Sequence, residues 1–341
     1  MDPVHLDIET AFAVYRLPHQ EDHLLVRGPI VDIRPSAGAF AVQRFDKKDR
    51  KTLYIQAKEV LKNARWQIDA REGCMLSSTD KDQYLNAALP TIAALKDQQM
   101  EKVVLSKIKK LTRDGRDLYD IFVELKEMYP TAFVFIYNVP GEGLWCGATP
   151  ELLITSDEDH LATTMALAGT QQDQGLPLNQ VKWGDKEIHE QRVIEEYVEQ
   201  RLGDREIAFS KDGPHTVKAG QVLHLCSIFR MTDIDDPMLI ANILHPGPAI
   251  CGRPQEKAME WILDHEDHDR AHYCGFIGPW NINGVKSLYI NLRSMRIYND
   301  AYILYLGGGL TKDSDAEAEW QETELKAQTL LSVINKTEVH E

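Results

Sequence analysis

Two stretches of the sequence carry glutamates three residues apart, Glu187 with Glu190 and Glu319 with Glu322. On a helix this spacing puts both carboxylates on one face. Two such helices facing each other would gather oxygen donors suited to a hard divalent cation such as Mg²⁺, which keeps waters and can also hold a substrate anion. Glutamate is also a good helix former, and solvated pairs at this spacing are common, so spacing alone leaves both readings open.

Lys102 opens Lys102-Val-Val-Leu-Ser106, where β-branched and apolar residues predict a strand that would hold the amine rigidly. Glu151 follows a proline at the head of another apolar run. Burial can depress a lysine into a base and raise a carboxyl into an acid; a salt-bridge or surface role is the plainer reading of each. Gly307 to Gly309 follow an apolar run ending at Leu306, where loop amides can receive an anion and a tight turn is the simpler account. No GxGxxG, GxxxxGK[ST] or GxSxG accompanies them. His265, His268 and His272 can share a helical face as zinc ligands, but no HExxH or CxxC supports that, and a solvated face is the competing reading.

The elements that must position these residues alternate in type. Residues 1 to about 75 predict strands, at Leu24 to Val26 and Phe40 to Val42, separated by turns. A helix capped by Asp80 follows, with Pro90 expected to kink or divide it. Then come a strand at Val103 to Ile108, a helix at Asp117 to Met128, and strands at Ala132 to Asn138, Leu144 to Cys146 and Glu151 to Thr155. The helix Asp185 to Leu202 precedes strands at Gln221 to Phe229, Ser287 to Tyr298 and Ala301 to Leu306, and a last helix runs from Ala316 to Ile334. Hairpin-length connections argue for α+β or layered α/β with much antiparallel pairing, not a doubly wound parallel sheet. One contiguous domain is expected, with residues 1–75 its N-terminal part and 76–336 its catalytic part.

Composition narrows the function classes. The 341 residues carry 38 basic and 53 acidic side chains, a net charge of −15, which disfavours nucleic acid and anionic membrane surfaces as partners. The longest apolar run, Thr131 to Val139, is far below the ~20 residues a membrane helix needs. Five scattered cysteines without a CxxC, and an acidic start without a signal-peptide pattern, predict a reduced, cytoplasmic protein.

Read in order, the motifs resemble the chorismate-utilising enzymes, the family of isochorismate synthase, salicylate synthase and the large subunits of anthranilate and aminodeoxychorismate synthases. The segments are Lys102-Val-Val-Leu-Ser106, Gly147-Ala-Thr-Pro-Glu151, Leu167-Ala-Gly-Thr170, Lys186-Glu-Ile-His-Glu190, Leu244-His-Pro-Gly-Pro-Ala249, Arg270-Ala-His-Tyr-Cys-Gly275, Asn291-Leu-Arg293 and Gly307 through Lys326. They cover roughly residues 75 to 335. The resemblance implies an α/β sandwich of large, mostly antiparallel sheets flanked by helices, with the site between them. It implies Mg²⁺ held by Glu187, Glu190, Glu319 and Glu322, the ion receiving the ring carboxylate of chorismate.

Within the family, lysine at the position of Lys102 marks water-using members and glutamine the ammonia-using ones, so no glutaminase subunit is expected. Ala168 stands where aminodeoxychorismate synthases often place a nucleophilic lysine. His245-Pro-Gly-Pro-Ala249 is similar to the HPTPA of isochorismate synthases, with Gly247 in place of threonine, a change that would loosen the loop. The expected activity is therefore reversible conversion of chorismate to isochorismate, with Lys102 as base and Glu151 as acid. Arg293 is expected to meet the enolpyruvyl carboxylate, Gly169, Thr170, Ala249, Gly307, Gly308 and Lys326 to give supporting contacts, and His245 to orient the substrate. A salicylate synthase and a non-catalytic chorismate-binding homologue are the alternatives. The resemblance also implies a monomer. The product would serve menaquinone, the preferred expectation, or siderophore formation.

Overall fold

Residue type alternates in function along Phe133–Val139 although every side chain is buried. Phe133, Phe135 and Tyr137 face one apolar core and Val134 and Ile136 another, as the two-residue period of a strand requires. A strand buried on both faces must lie inside a layered structure. The computed structural model describes residues 2–46, 51–69, 73–219 and 222–334. Gln221, the expected start of one strand, and residues 335 and 336, the expected close of the catalytic part, lie outside them.

Two nine-stranded sheets form the two central layers. The first runs, in spatial order, Gly252–Arg253, Lys102–Thr112, Ala301–Leu310, Ser294–Ile297, Gly143–Thr149, Phe133–Val139, Phe12–Arg16, Leu24–Arg27 and Glu59–Lys62. The second runs Ser210–Ala219, Val222–Met231, Ala162–Gln172, Leu152–Ser156, Val285–Ile290, Phe276–Ile282, Ala39–Gln43, Leu53–Gln56 and Ile30–Val31. Pairing in both is antiparallel throughout the described residues; a short parallel pair, Val4–Leu6 with Trp66–Ile68, stands apart. The sheets meet face to face, and Phe133 of the first stacks on Tyr289 of the second at 4.2 Å between ring centroids, a contact worth about 0.5–1.5 kcal/mol beyond its buried area. Strands from residues 1–75 enter both sheets.

Among the described residues six α-helices flank the layers: α1 Lys81–Lys96, α2 Leu118–Met128, α3 Asp185–Gly203, α4 Pro237–Leu244, α5 Gln255–His265 and α6 Ala316–Ile334. The start of α1 is a capping box, in which Asp80 accepts the Gln83 N–H and Gln83 accepts the Asp80 N–H, each at 2.8 Å. Pro90 does not divide this helix. Helices α2 and α6 cover the outer face of the first sheet through Phe122, Leu125, Ala327 and Leu330, and α3 packs on Ala162–Gln172 of the second. No helix among the described residues is long and apolar enough to cross a membrane. All five cysteines are buried and unpaired.

Two expected elements differ. Ser287 to Tyr298 is not one strand: Val285–Ile290 belongs to the second sheet and Ser294–Ile297 to the first. The chain crosses between layers at Asn291 to Arg293, with Arg293 at φ 49°, a conformation that ends a ladder. Gly307 to Gly309 is not a turn after a strand ending at Leu306. The strand continues through all three glycines, paired with Ser106, Leu105 and Val104.

Candidate active site

A cavity of about 190 Å³ opens where the two sheets meet α3 and α6. It is lined by Lys102, Glu151, Gly169, Thr170, Ala249, Arg293, Gly307 and Lys326, and by Glu187, Glu190, Glu319 and Glu322. Chain segments far apart in sequence therefore bring nearly all the expected site residues to one place.

Lys102 is the first residue of its strand in the first sheet, and Glu151 immediately precedes Leu152–Ser156 in the second. The Glu151 carbonyl accepts the Ile290 N–H at 2.9 Å, which fixes its backbone. Desolvation deep in the cavity raises the Glu151 carboxyl to about 7, against the opposing pull of Lys102 and Arg293. Desolvation lowers the Lys102 amine, helped by Lys326 and opposed by Glu190, Glu151 and Glu322. An acid and a base, each moved toward neutrality, thus face one cavity from opposite layers.

The glycines make room for this arrangement. A Cβ on Gly309 would stand 2.8 Å from Lys102 Cε, and one on Gly307 would stand 2.9 Å from the Tyr273 hydroxyl. At the cavity's cationic side, Arg293 Nη1 donates to the Lys326 carbonyl and to Thr329 Oγ1, both at 3.3 Å. Lys326 Nζ donates to the Gly307 carbonyl at 2.9 Å and pairs with Glu322 at 2.7 Å. Burial, the largest influence, works to raise the Glu322 carboxyl, but Lys326, Lys186 and Arg293 together outweigh it and the net shift is downward. Glu319, 5% exposed, is pushed up by burial and by Glu322, while Ser314 donates to it at 2.7 Å.

His245 and Gly308 do not line the cavity. His245 is buried at the end of α4, donates from Nε2 to the Cys274 carbonyl at 2.7 Å and packs edge-on against Phe276; it supports the wall instead of facing the space. Gly308 lies against Glu319 and Thr323 of α6. The three-histidine face also fails, because α5 ends at His265, which stacks on Trp261. His268 meets Ser106 Oγ at 2.9 Å and His272 meets the Tyr137 hydroxyl at 3.0 Å. The three rings have separate partners.

A family model described as chorismate binding enzyme matches residues 37–335. The chain belongs to the chorismate-binding enzymes. It is 23% identical to the isochorismate synthase EntC of Escherichia coli K12 over 97% of this chain and 86% of that protein. Among solved structures, a Bacillus anthracis protein described as a 2,3-dihydroxybenzoate-specific isochorismate synthase, DhbC, superposes with a TM-score of 0.79 at 24% identity, covering 96% of each chain. The menaquinone-specific isochorismate synthase MenF of Escherichia coli gives a TM-score of 0.81 at 19% identity, covering 96% of this chain and 89% of that one.

In this chorismate-binding enzyme the cavity holds further residues that sequence reasoning missed. His224 lines it and donates from Nδ1 to the Gly169 carbonyl at 3.0 Å; burial lowers the ring to about 4, so it is neutral at neutral pH. Its alternating position within Val222–Met231 was the available signal. Tyr273 and Lys186 also line it, inside motifs whose other residues carry the expected roles. The four glutamates supply only carboxylate oxygens, the donor type that a hard divalent cation takes. Among the described residues, however, no three acidic, histidine or cysteine side chains already form a metal cage. Glu322 is turned to Lys326 and Glu190 to Lys186, at 3.9 Å. The donor chemistry fits the cation, with the two lysines as the groups it would displace.

Proposed function

We propose that this chorismate-binding enzyme is an isochorismate synthase that converts chorismate reversibly to isochorismate. The observation that carries the reading is the opposed tuning of Lys102 and Glu151 across one cavity. Neutral Lys102 takes a proton from the water that attacks C2. The ring double bonds shift, the C4–O bond breaks, and protonated Glu151 delivers its proton to the departing hydroxide. One water enters and one leaves, after which Lys102 carries a proton that Glu151 lacks. Return of that proton, directly or through solvent, resets the pair. Glu151, raised to about 7, acts near neutral pH, where general acid–base catalysis is most effective, and burial lowers the Lys102 amine toward that range.

Arg293, with a planar fork suited to a carboxylate, is assigned to the enolpyruvyl group, with Lys326 beside it. Glu187, Glu190, Glu319 and Glu322 are assigned to Mg²⁺, which when bound would neutralise the ring carboxylate. A lysine at position 102, the residue of the water-using members of the family, supports water as the nucleophile.

Incubation with chorismate and Mg²⁺, followed by product analysis, tests the proposal. Isochorismate without pyruvate is expected. Salicylate with equimolar pyruvate would replace the isomerase by a salicylate synthase, and binding without turnover would leave a chorismate-binding protein.

A further inference from the structure

The strand Ala162–Gln172 is paired along its length with Val222–Met231, but its other edge meets Leu152–Ser156 only at Ala162 and Thr163. Beyond those residues α3 packs against the strand. Gln191 of α3, 2% exposed, fills the open edge. Its Oε1 accepts the Ala168 N–H at 3.0 Å, and its Nε2 donates to the Ala166 carbonyl at 3.1 Å. An N–H and a C=O two residues apart are the groups that one residue of a parallel neighbouring strand would take. The side-chain carboxamide therefore stands in for a missing strand, satisfying two backbone groups that burial would otherwise penalise.

The location ties this contact to the cavity. Immediately after Ala168 the pairing slips, at Gly169 with φ 59°, and Gly169 and Thr170 line the cavity. Immediately before Gln191 in α3 stand Glu190 and, one turn back, Glu187. Gln191 itself does not line the cavity. Its Nε2 also reaches Glu195 at 3.1 Å and Ser227 Oγ at 3.3 Å, so the amide is held from behind and cannot rotate freely.

We propose that Gln191 is a positioning residue that fixes the Ala168–Thr170 bulge to α3, setting the substrate-binding backbone in register with the glutamates of that helix. The kinetic part of this inference rests on the isochorismate synthase reading; the structural part does not. The variant Gln191→Met keeps the volume and removes both hydrogen bonds. Hydrogen exchange is read first, on metal-free protein. Faster exchange confined to residues 166–172 is expected, and unchanged protection there would overturn the proposal. Chorismate KM and the Mg²⁺ half-saturation are then expected to rise together by ~10-fold or more, with kcat changed less, as for residues that orient ligands from behind.

Ser227→Ala is the control, since it removes a hydroxyl from the same buried network and leaves both Gln191 backbone contacts in place. It is expected to lower stability with KM unchanged. Equal KM shifts in the two variants would mean that general loosening, not registration, is at work. If Gln191→Met does not fold, Gln191→Glu is read in the same assays, because it keeps an acceptor for Ala168 and loses the donor to Ala166. If the wild-type protein does not turn over chorismate, the functional reading fails, and hydrogen exchange alone decides the role of Gln191.

Discussion

Lys102 lies over Gly309 so closely that a methyl group on the glycine would stand 2.8 Å from Cε and 3.3 Å from Nζ. The lysine is the flexible partner, so Gly309→Ala is expected to displace the amine and leave the sheet in place. A misplaced base loses its near-attack geometry, for which a shift of ~1 Å costs about 10²-fold. Steady-state kinetics on Gly309→Ala should show a fall in kcat with thermal stability near wild type; an unchanged kcat would separate Lys102 from the reacting water.

Lys102→Ala removes the proposed base itself. A loss of about 10²–10⁴-fold in turnover is expected, with circular dichroism unchanged. A wild-type rate would end the base assignment.

Activity should depend on pH through two breaks at saturating Mg²⁺. The competent form has Lys102 neutral and Glu151 protonated, so the rate falls when either the amine gains its proton or the carboxyl loses its own. One break is expected near pH 7, from Glu151, and the other from an amine lowered below the ordinary lysine range. In Glu151→Gln the break near 7 should vanish along with most of the rate; its persistence would assign it to another group.

Glu322→Gln removes one charge from the glutamate set and the partner of Lys326. The Mg²⁺ half-saturation should rise by roughly 10–100-fold. A superimposable metal titration would remove Glu322 from the binding set.

Arg270 and Glu266 form a buried pair, each side chain 3% exposed, and Arg270 also donates to the Ile250 and Val104 carbonyls. Arg270→Ala would strand the carboxylate in the core, costing about 3–5 kcal/mol. The urea midpoint measures this, and a shift of under ~1 kcal/mol would show that solvent reaches Glu266.

Much of this was legible in the sequence because it rests on local rules. Asp80 with Gln83, and Asp117, announce helix starts by their side-chain chemistry, and the three-residue spacing of the glutamates places them on shared faces. The crossing at Asn291 to Arg293 was not legible, since an apolar pattern runs almost unbroken across it and an arginine at positive φ leaves no compositional mark. Gly307 to Gly309 misled for the opposite reason: glycine signals a turn, yet here its missing side chain accommodates Lys102 and Tyr273 inside a ladder. His245 was expected in the cavity from its motif, but its orientation is set by the Cys274 carbonyl, a tertiary contact outside the reach of spacing. Gln191 carries no motif; only the open strand edge beside it reveals its use.

The crossing has a mechanical consequence. Arg293 sits on the short tether by which the chain leaves one sheet for the other, while Lys102 belongs to the first sheet and Glu151 stands at the head of a strand of the second. Any sliding of one layer over the other would shear the proposed acid from the proposed base and shift the guanidinium assigned to the enolpyruvyl carboxylate. Substitutions in the interlayer core, such as at the Phe133 and Tyr289 stack, whose residues pair with Thr149 and Leu152 on either side of Glu151, should therefore register as lost turnover before they register as unfolding, making catalysis a gauge of sheet alignment.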